Sequence, residues 1–194
     1  MPLFRMKSRR RIIAVTILAI IAMLLAACGT DSGGAAAGGA EDVAGTRKID
    51  PDRVLTFDDF KAIGFKKDKT YDVSELPGAE EAYYGFWGLD PYDREDFEFR
   101  IYASQADAVE LGTELAGQRT VPDALLTGDT AVWKVSIKDV RKCEGITGST
   151  QWAATCTVPK YYDYMFVGNV ILFCPGTALD VAQENCDELL EQMQ

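Results

Sequence analysis

Residues 49–194 predict an α+β domain, with a mainly antiparallel sheet of four or five strands and two longer helices packed on one face. Three observations point there. Segments 97–103 and 131–137 alternate apolar with polar residues, as half-buried strands do. Segments after Ser104 and from Thr177 repeat apolar residues at helical spacing. A strand pair around the loop 143–156 interrupts the strand–helix alternation that a parallel sheet would need. No internal repeat is visible.

In chain order, Thr56 as N-cap, Asp58 and Asp59 in the first turn and Gly64 at the end describe a short helix over 57–63. The Pro77-Gly78 turn signal precedes an aromatic strand over 83–89. In 97–103, Phe97, Phe99, Ile101 and Ala103 form the buried side, leaving Glu98, Arg100 and Tyr102 on a wet one. Ser104 caps a helix carrying Ala108, Gly112, Leu115 and Ala116 on one stripe. Ala131, Trp133, Val135 and Ile137 alternate with Lys134, Ser136 and Lys138 as a second one-sided strand. The run 164–173 is apolar on both sides apart from Asn169, which predicts a central strand lying beside or near 83–89. The last helix has a broad stripe of Leu179, Ala182, Cys186, Leu189, Leu190 and Met193.

The first 27 residues are of another kind. Arg9-Arg10-Arg11 precedes the apolar run 12–27, as in an export signal. That run has 16 residues, short of the roughly 20 that span a bilayer. It ends in Leu25-Ala26-Ala27-Cys28, which resembles the lipobox of bacterial lipoproteins matured by signal peptidase II. The resemblance implies a signal peptide over 1–27, cleavage before Cys28, and acyl chains such as palmitate on that cysteine. More than one chain on a single residue holds a protein stably on a membrane. Ser8-Arg9-Arg10-Arg11-Ile12-Ile13 also resembles a twin-arginine signal, but the strongly apolar run after it favours the general secretory route. Gly29, where an aspartate often retains lipoproteins at the inner membrane, implies outer-membrane sorting in a host with two membranes. The expected place is therefore the cell membrane or outer membrane, with the domain on the extracytoplasmic side. Residues 28–48 hold the lipidated cysteine and a Gly/Ala-rich tether whose only large apolar residue before Thr46 is Val43. Its 18 residues from 29 to 46 reach roughly 20–25 Å.

Removing the leader takes five of the 20 basic residues and none of the 30 acidic ones, leaving a formal charge of −15. Such a chain is repelled by nucleic-acid phosphate and by anionic lipid headgroups, so neither is an expected partner. Its surface is acidic and well solvated. Four cysteines remain after Cys28, and an even set in an exported domain reads as two disulfides. Of three pairings, Cys143–Cys156 and Cys174–Cys186 are expected: the first closes a Gly/Ser/Thr-rich loop, and Cys186 faces the sheet from the last helix's apolar stripe. A thiolate metal site would need a close C-x-x-C pair or histidine, and neither is present.

The sequence contains no histidine, which removes Ser-His-Asp and Cys-His nucleophile systems, His-ligated zinc and imidazole proton relays. It also lacks G-x-S-x-G, G-x-x-x-x-G-K-[ST] and a dinucleotide fingerprint after a strand. Carboxylate-only hydrolysis remains chemically open. Asp90, Asp93, Glu95 and Asp96 crowd one turn, but their spacing does not match a twelve-residue calcium loop, and a solvated acidic turn is the reading. The expectation is a non-catalytic domain with no cofactor and no metal. Its function is to bind a small ligand or a protein; the alternatives are a structural role in an envelope assembly and a carboxylate-dependent hydrolase.

Aromatic residues supply the candidate site. Tyr84, Phe86, Tyr162 and Tyr164 occupy even-numbered positions on two strands, so each pair should share one side. Either the short helix and loop 66–80 cover these rings, or they line a groove. The ending, Gly168-Asn169-Val170 running into Cys174-Pro175 and an amphipathic helix, is similar to that of extracellular sensor domains in some actinobacterial receptor kinases. The resemblance covers about 25 residues and implies binding without catalysis; Cys186 departs from the pattern, and no site residues carry over.

Cys28→Ala should yield a chain that is neither lipidated nor processed at the lipobox. Metabolic labelling with a fatty-acid analogue checks this; equal label in variant and wild type would remove the lipoprotein reading.

Overall fold

The computed structural model describes residues 44–45, 47–144 and 155–194. The leader, Cys28 and the tether up to residue 43 lie outside the described residues, as do the side chains of Cys143 and Cys156 with their expected bridge. Among the described residues the fold is α+β, with three helices and a mainly antiparallel sheet. The strands are β1 (Lys48–Ile49), β2 (Lys66–Thr70), β3 (Ala79–Trp87), β4 (Glu95–Tyr102), β5 (Arg141–Glu144), β6 (Thr155–Pro159), β7 (Tyr161–Val167) and β8 (Val170–Pro175). The helices are α1 (Phe57–Ala62), α2 (Gln105–Gly117) and α3 (Leu179–Glu191).

Six strands, not four or five, form the sheet in the order β1-β7-β8-β4-β3-β2, and β5 with β6 forms a separate hairpin. Only β1 and β7 run parallel. β8, at the centre, has all six residues buried, so both faces of the sheet need a cover. This is why the two longer helices lie on opposite faces rather than together. α2 crosses from β4 to β7 over one face, packing Ala108 and Ala116 on Tyr102, Ile171, Phe173 and Phe166. α3 returns from β8 across the other, setting Ala182, Cys186 and Leu189 against Phe97, Phe99, Leu172 and Met165. α1 adds Phe60 to this second face, stacked on Phe99 at 3.8 Å between ring centroids.

Local signals explain the helix starts. Thr56 donates its N–H to Asp59 Oδ2 at 2.8 Å, and this bond with that from the Thr56 hydroxyl lowers the Asp59 carboxyl below its usual range. Ser104 Oγ accepts from the Asp107 N–H at 3.1 Å. α2 approaches the sheet closely because Gly112 has no side chain; a Cβ there would lie 2.4 Å from Ile171 Cδ1. Cys174 and Cys186 are bridged, with Cα atoms 5.4 Å apart, pinning α3 to β8. A loop of this size is worth roughly 3 kcal/mol in the chain-entropy account.

Three strand expectations are corrected. The run 164–173 is two strands, because Gly168 takes φ +54° and turns the chain. Its one polar residue marks the bend: Asn169 accepts from the Leu55 N–H at 2.7 Å and donates to Tyr102 O at 2.8 Å. The segment 131–137 is irregular. Ala131, Trp133 and Ser136 are buried while Val132, Lys134 and Val135 are exposed, and turns at Lys134 and Ser136 break the alternation. Third, β4, which lies between β3 and β8, has no wet side: Glu98 and Arg100 are both 0% exposed.

Candidate functional site

Those two charges organise the α2 face. Glu98 and Arg100 are neighbours on one side of β4, and Arg100 Nε donates to Glu98 Oε1 at 2.9 Å. The guanidinium is sandwiched between Trp133, 4.8 Å away, and Phe173, 4.4 Å away. Trp133 comes from the irregular segment 118–140, which Arg119 holds down. Arg119 donates to Trp133 O, to Ser136 Oγ at 3.2 Å and to Leu125 O at 3.4 Å. Desolvation pulls Arg119 down to about 10, which leaves it a cation at neutral pH. At the margin, the Tyr71 hydroxyl donates to Asp139 Oδ2 at 2.7 Å, and Lys160 donates to the Tyr84 hydroxyl at 2.8 Å while pairing with Asp96.

Sequence reasoning placed Glu98 and Arg100 on a solvated side, since charge at alternate positions ordinarily means solvent. The usable signal was their spacing: opposite charges two residues apart on a strand share one side and can neutralise each other there. Glu98 Oε2 and the Tyr161 hydroxyl remain without a hydrogen-bond partner among the described residues. The layer lies beneath α2 and the 118–140 segment, and its visible work is to anchor that segment.

The aromatic candidate is not one patch. Tyr84 and Phe86 meet edge to face at 5.7 Å on the α2 face, and Tyr164 lies on the same face against Phe166 and Phe173. Tyr162 packs with the core of the opposite face, because a bulge in β7 between Tyr161 and Asp163 shifts the alternation by one residue. Tyr84 and Tyr164 are buried, and β4 and β8 stand between them.

An open cleft of about 280 Å³ lies elsewhere, at the tip of the β3–β4 hairpin beside α3. Trp87 and Phe97 form its floor; Asp90, Asp93, Glu95 and Glu188 rim it with Asn185. Trp87 is fixed by its Nε1–H bond to Ile63 O at 3.0 Å. Three of the four crowded acids of the hairpin turn, all but the Lys160-paired Asp96, therefore face α3 across a hollow. No grouping of three or more potential metal ligands occurs among the described residues. An aromatic floor with an anionic rim suits a cationic group of a ligand or protein.

Fold and site together define a small α+β domain, pinned by a buried disulfide, with a closed ionic layer on one face and an open acidic cleft on the other. The chain belongs to the DUF6810 family, described as a family of unknown function, whose profile matches residues 56–194. No curated protein and no solved structure matches the chain.

Two outcomes test this geometry. Arg100→Ala leaves Glu98 buried and unpaired, and should cost about 3–5 kcal/mol in urea unfolding. Replacing both charges, Glu98→Leu with Arg100→Met, should recover most of that loss; a double variant no better than the single one contradicts the ion-pair account. The second concerns alkali. Burial raises Tyr71, Tyr84, Tyr102, Tyr161 and Tyr164 above the ordinary value of 10.0. The folded state thus keeps protons that the unfolded state gives up, and stability should fall as pH rises past that value. In a Tyr92→Phe variant, which removes the 97% exposed ring, most phenolate absorbance should appear in one cooperative step together with loss of circular dichroism; wholly gradual ionisation before unfolding would contradict it.

Proposed function

We propose that this protein is a lipoprotein held on the outer face of a membrane through Cys28, and that its domain is a non-catalytic module binding a ligand or protein. The address rests on the leader and its lipobox. The buried Cys174–Cys186 bridge supports an oxidising, extracytoplasmic setting, where such bonds persist. The binding reading is carried by the acidic, aromatic-floored cleft between the β3–β4 hairpin and α3.

Two alternatives receive less support. Carboxylate hydrolysis needs one carboxyl in a dry setting to act as general acid, whereas Asp90, Asp93, Glu95 and Glu188 all face solvent. A structural envelope role would suit a bare apolar sheet face, yet both faces of this sheet are covered by helices and the 118–140 segment. The complement to the cleft is a basic group, either on a small ligand or on a protein side chain.

Co-purification of the detergent-solubilised lipoprotein, read by mass spectrometry, tests this. Asp93→Asn with Glu188→Gln should deplete cleft-dependent partners while leaving the melting temperature within a degree or two, because both residues are exposed. An identical capture profile for variant and wild type would sink the cleft as the binding site.

A further inference from the structure

The carboxylates of α3 and of the β3–β4 hairpin lack countercharge. Asp180, Glu184 and Glu188 follow one another at four-residue spacing along α3, so they share one side of the helix, and all three are exposed. No lysine or arginine occurs between Leu179 and Glu191, and like charges at this spacing weaken a helix. Among the described residues, none of these three acids forms an ion pair, nor does Asp90, Asp93 or Glu95 on the hairpin; the α3 acid that is paired is Asp187, with Arg47. Glu188 also lines the cleft, which joins the acidic ridge of α3 to the hairpin rim. Arg94 is the cation of the hairpin turn. Its stem passes Gly88, where a Cβ would lie 3.4 Å from Arg94 Cγ, and it stands outside the cleft lining.

The hairpin tip adds apolar surface of its own. The Asp93 N–H donates to Asp90 O at 3.1 Å, and the Tyr92 N–H donates to Asp90 Oδ1 at 2.8 Å. This doubly bonded turn holds the Tyr92 ring out in water, 97% exposed. Leu89, 70% exposed, lines the cleft next to Trp87. Trp87 and Phe97 are by contrast 4% and 1% exposed, so they offer a floor and not a cage around an isolated ammonium group.

We infer that the partner of this cleft is a protein segment carrying lysines or arginines around an apolar residue, an inference that rests on the cleft reading above. One basic side chain enters between Asp93, Glu95 and Glu188, its neighbours follow the α3 acids towards Asp180, and the apolar residue packs on Leu89 and Tyr92. Extent favours a protein over a small cation. Asp180 to Glu188 covers about 12 Å of helix at about 1.5 Å per residue, and neither Asp180 nor Glu184 lines the cleft. A small cation would occupy the cleft, leaving those acids uncompensated and Tyr92 in water. An extended basic segment meets the ridge, the cleft and the tip together. Unpaired surface acids of one sign also attract such a segment from a distance, so its association should be sensitive to salt.

The test is fluorescence anisotropy of the full chain in non-ionic detergent with a labelled peptide of lysines around a central leucine. Octalysine and spermine serve as competing probes. The leucine-containing peptide should bind more tightly than octalysine, and salt should weaken both. Leu89→Ala with Tyr92→Ala should weaken the first peptide by about fivefold and octalysine little. Asp180→Asn with Glu184→Gln should weaken both by about fivefold, whereas Asp58→Asn on α1 should change neither. All these side chains are exposed, so an unchanged melting temperature guards against misfolding. Complete displacement by spermine, with wild-type affinity in the tip and ridge variants, overturns the inference, reassigns the cleft to a small cation and leaves the cleft reading standing. Failure to bind either peptide also overturns it. Wild-type peptide binding by Asp93→Asn with Glu188→Gln would instead sink the cleft reading itself, and this inference with it.

Discussion

A guanidinium in the middle of a sheet has to be neutralised and covered, and the α2 face is arranged around that requirement at Arg100. Glu98 supplies the countercharge from the same strand, Phe173 one ring from the neighbouring strand, and Trp133 the other from above. Arg119 helps hold Trp133 there by tying the backbone of its segment to the end of α2, and the Trp133 Nε1–H bond to Asp72 O fixes the ring. A long irregular segment with little regular hydrogen bonding would otherwise be loose. The interior charges thus hold a segment that aliphatic packing alone would position less definitely, and that segment presents Lys134, Lys138, Val132 and Val135 to the outside.

The two faces divide the labour. The α3 face is dry packing: Phe60, Phe65 and Phe99 meet in stacked and edge-on contacts, and the disulfide fixes the helix above them. The α2 face is a polar layer beneath a mostly aperiodic cover. Stability should reside more in the first face and adjustable surface chemistry in the second. The edges are protected differently. β2 is exposed along its length and carries lysines, which discourage pairing with another sheet, while β1 is only two residues long.

Much of this was legible in the sequence. The helices were, because Thr56, Ser104 and Gly64 are local capping signals and the stripes on α2 and α3 are periodic. The class of fold followed, and so did the Cys174–Cys186 bridge. What failed did so where tertiary contacts overrode a local pattern. Asn169 read as a flaw in a strand and is the bend between two, since its side chain satisfies backbone groups of Leu55 and Tyr102 far away in sequence. Residues 131–137 alternate by chance, and Arg119 captures a carbonyl there that a strand would have used. One extra residue in β7 reversed the side of Tyr162, and no composition or spacing announces a bulge. The cleft was half visible: the acids of the hairpin turn stood out, but Glu188 and Asn185 join them only through the packing of α3.

The short strand β1 has a mechanical consequence. It is held by backbone bonds from Phe166 to Arg47 and from Gly168 to Ile49, with Gly45 on Asp163 and Arg47 on Asp187 at 2.5 Å. On the proposed anchor at Cys28, a load would reach the described domain here first, through a handful of bonds at a sheet edge. β1 is then the weakest link in series. It would peel before the β4–β8 core feels the force, and releasing residues 44–49 would lengthen the leash by about 20 Å. The domain could be drawn away from its anchor under tension and return when slack, with its disulfide-pinned core unstrained throughout.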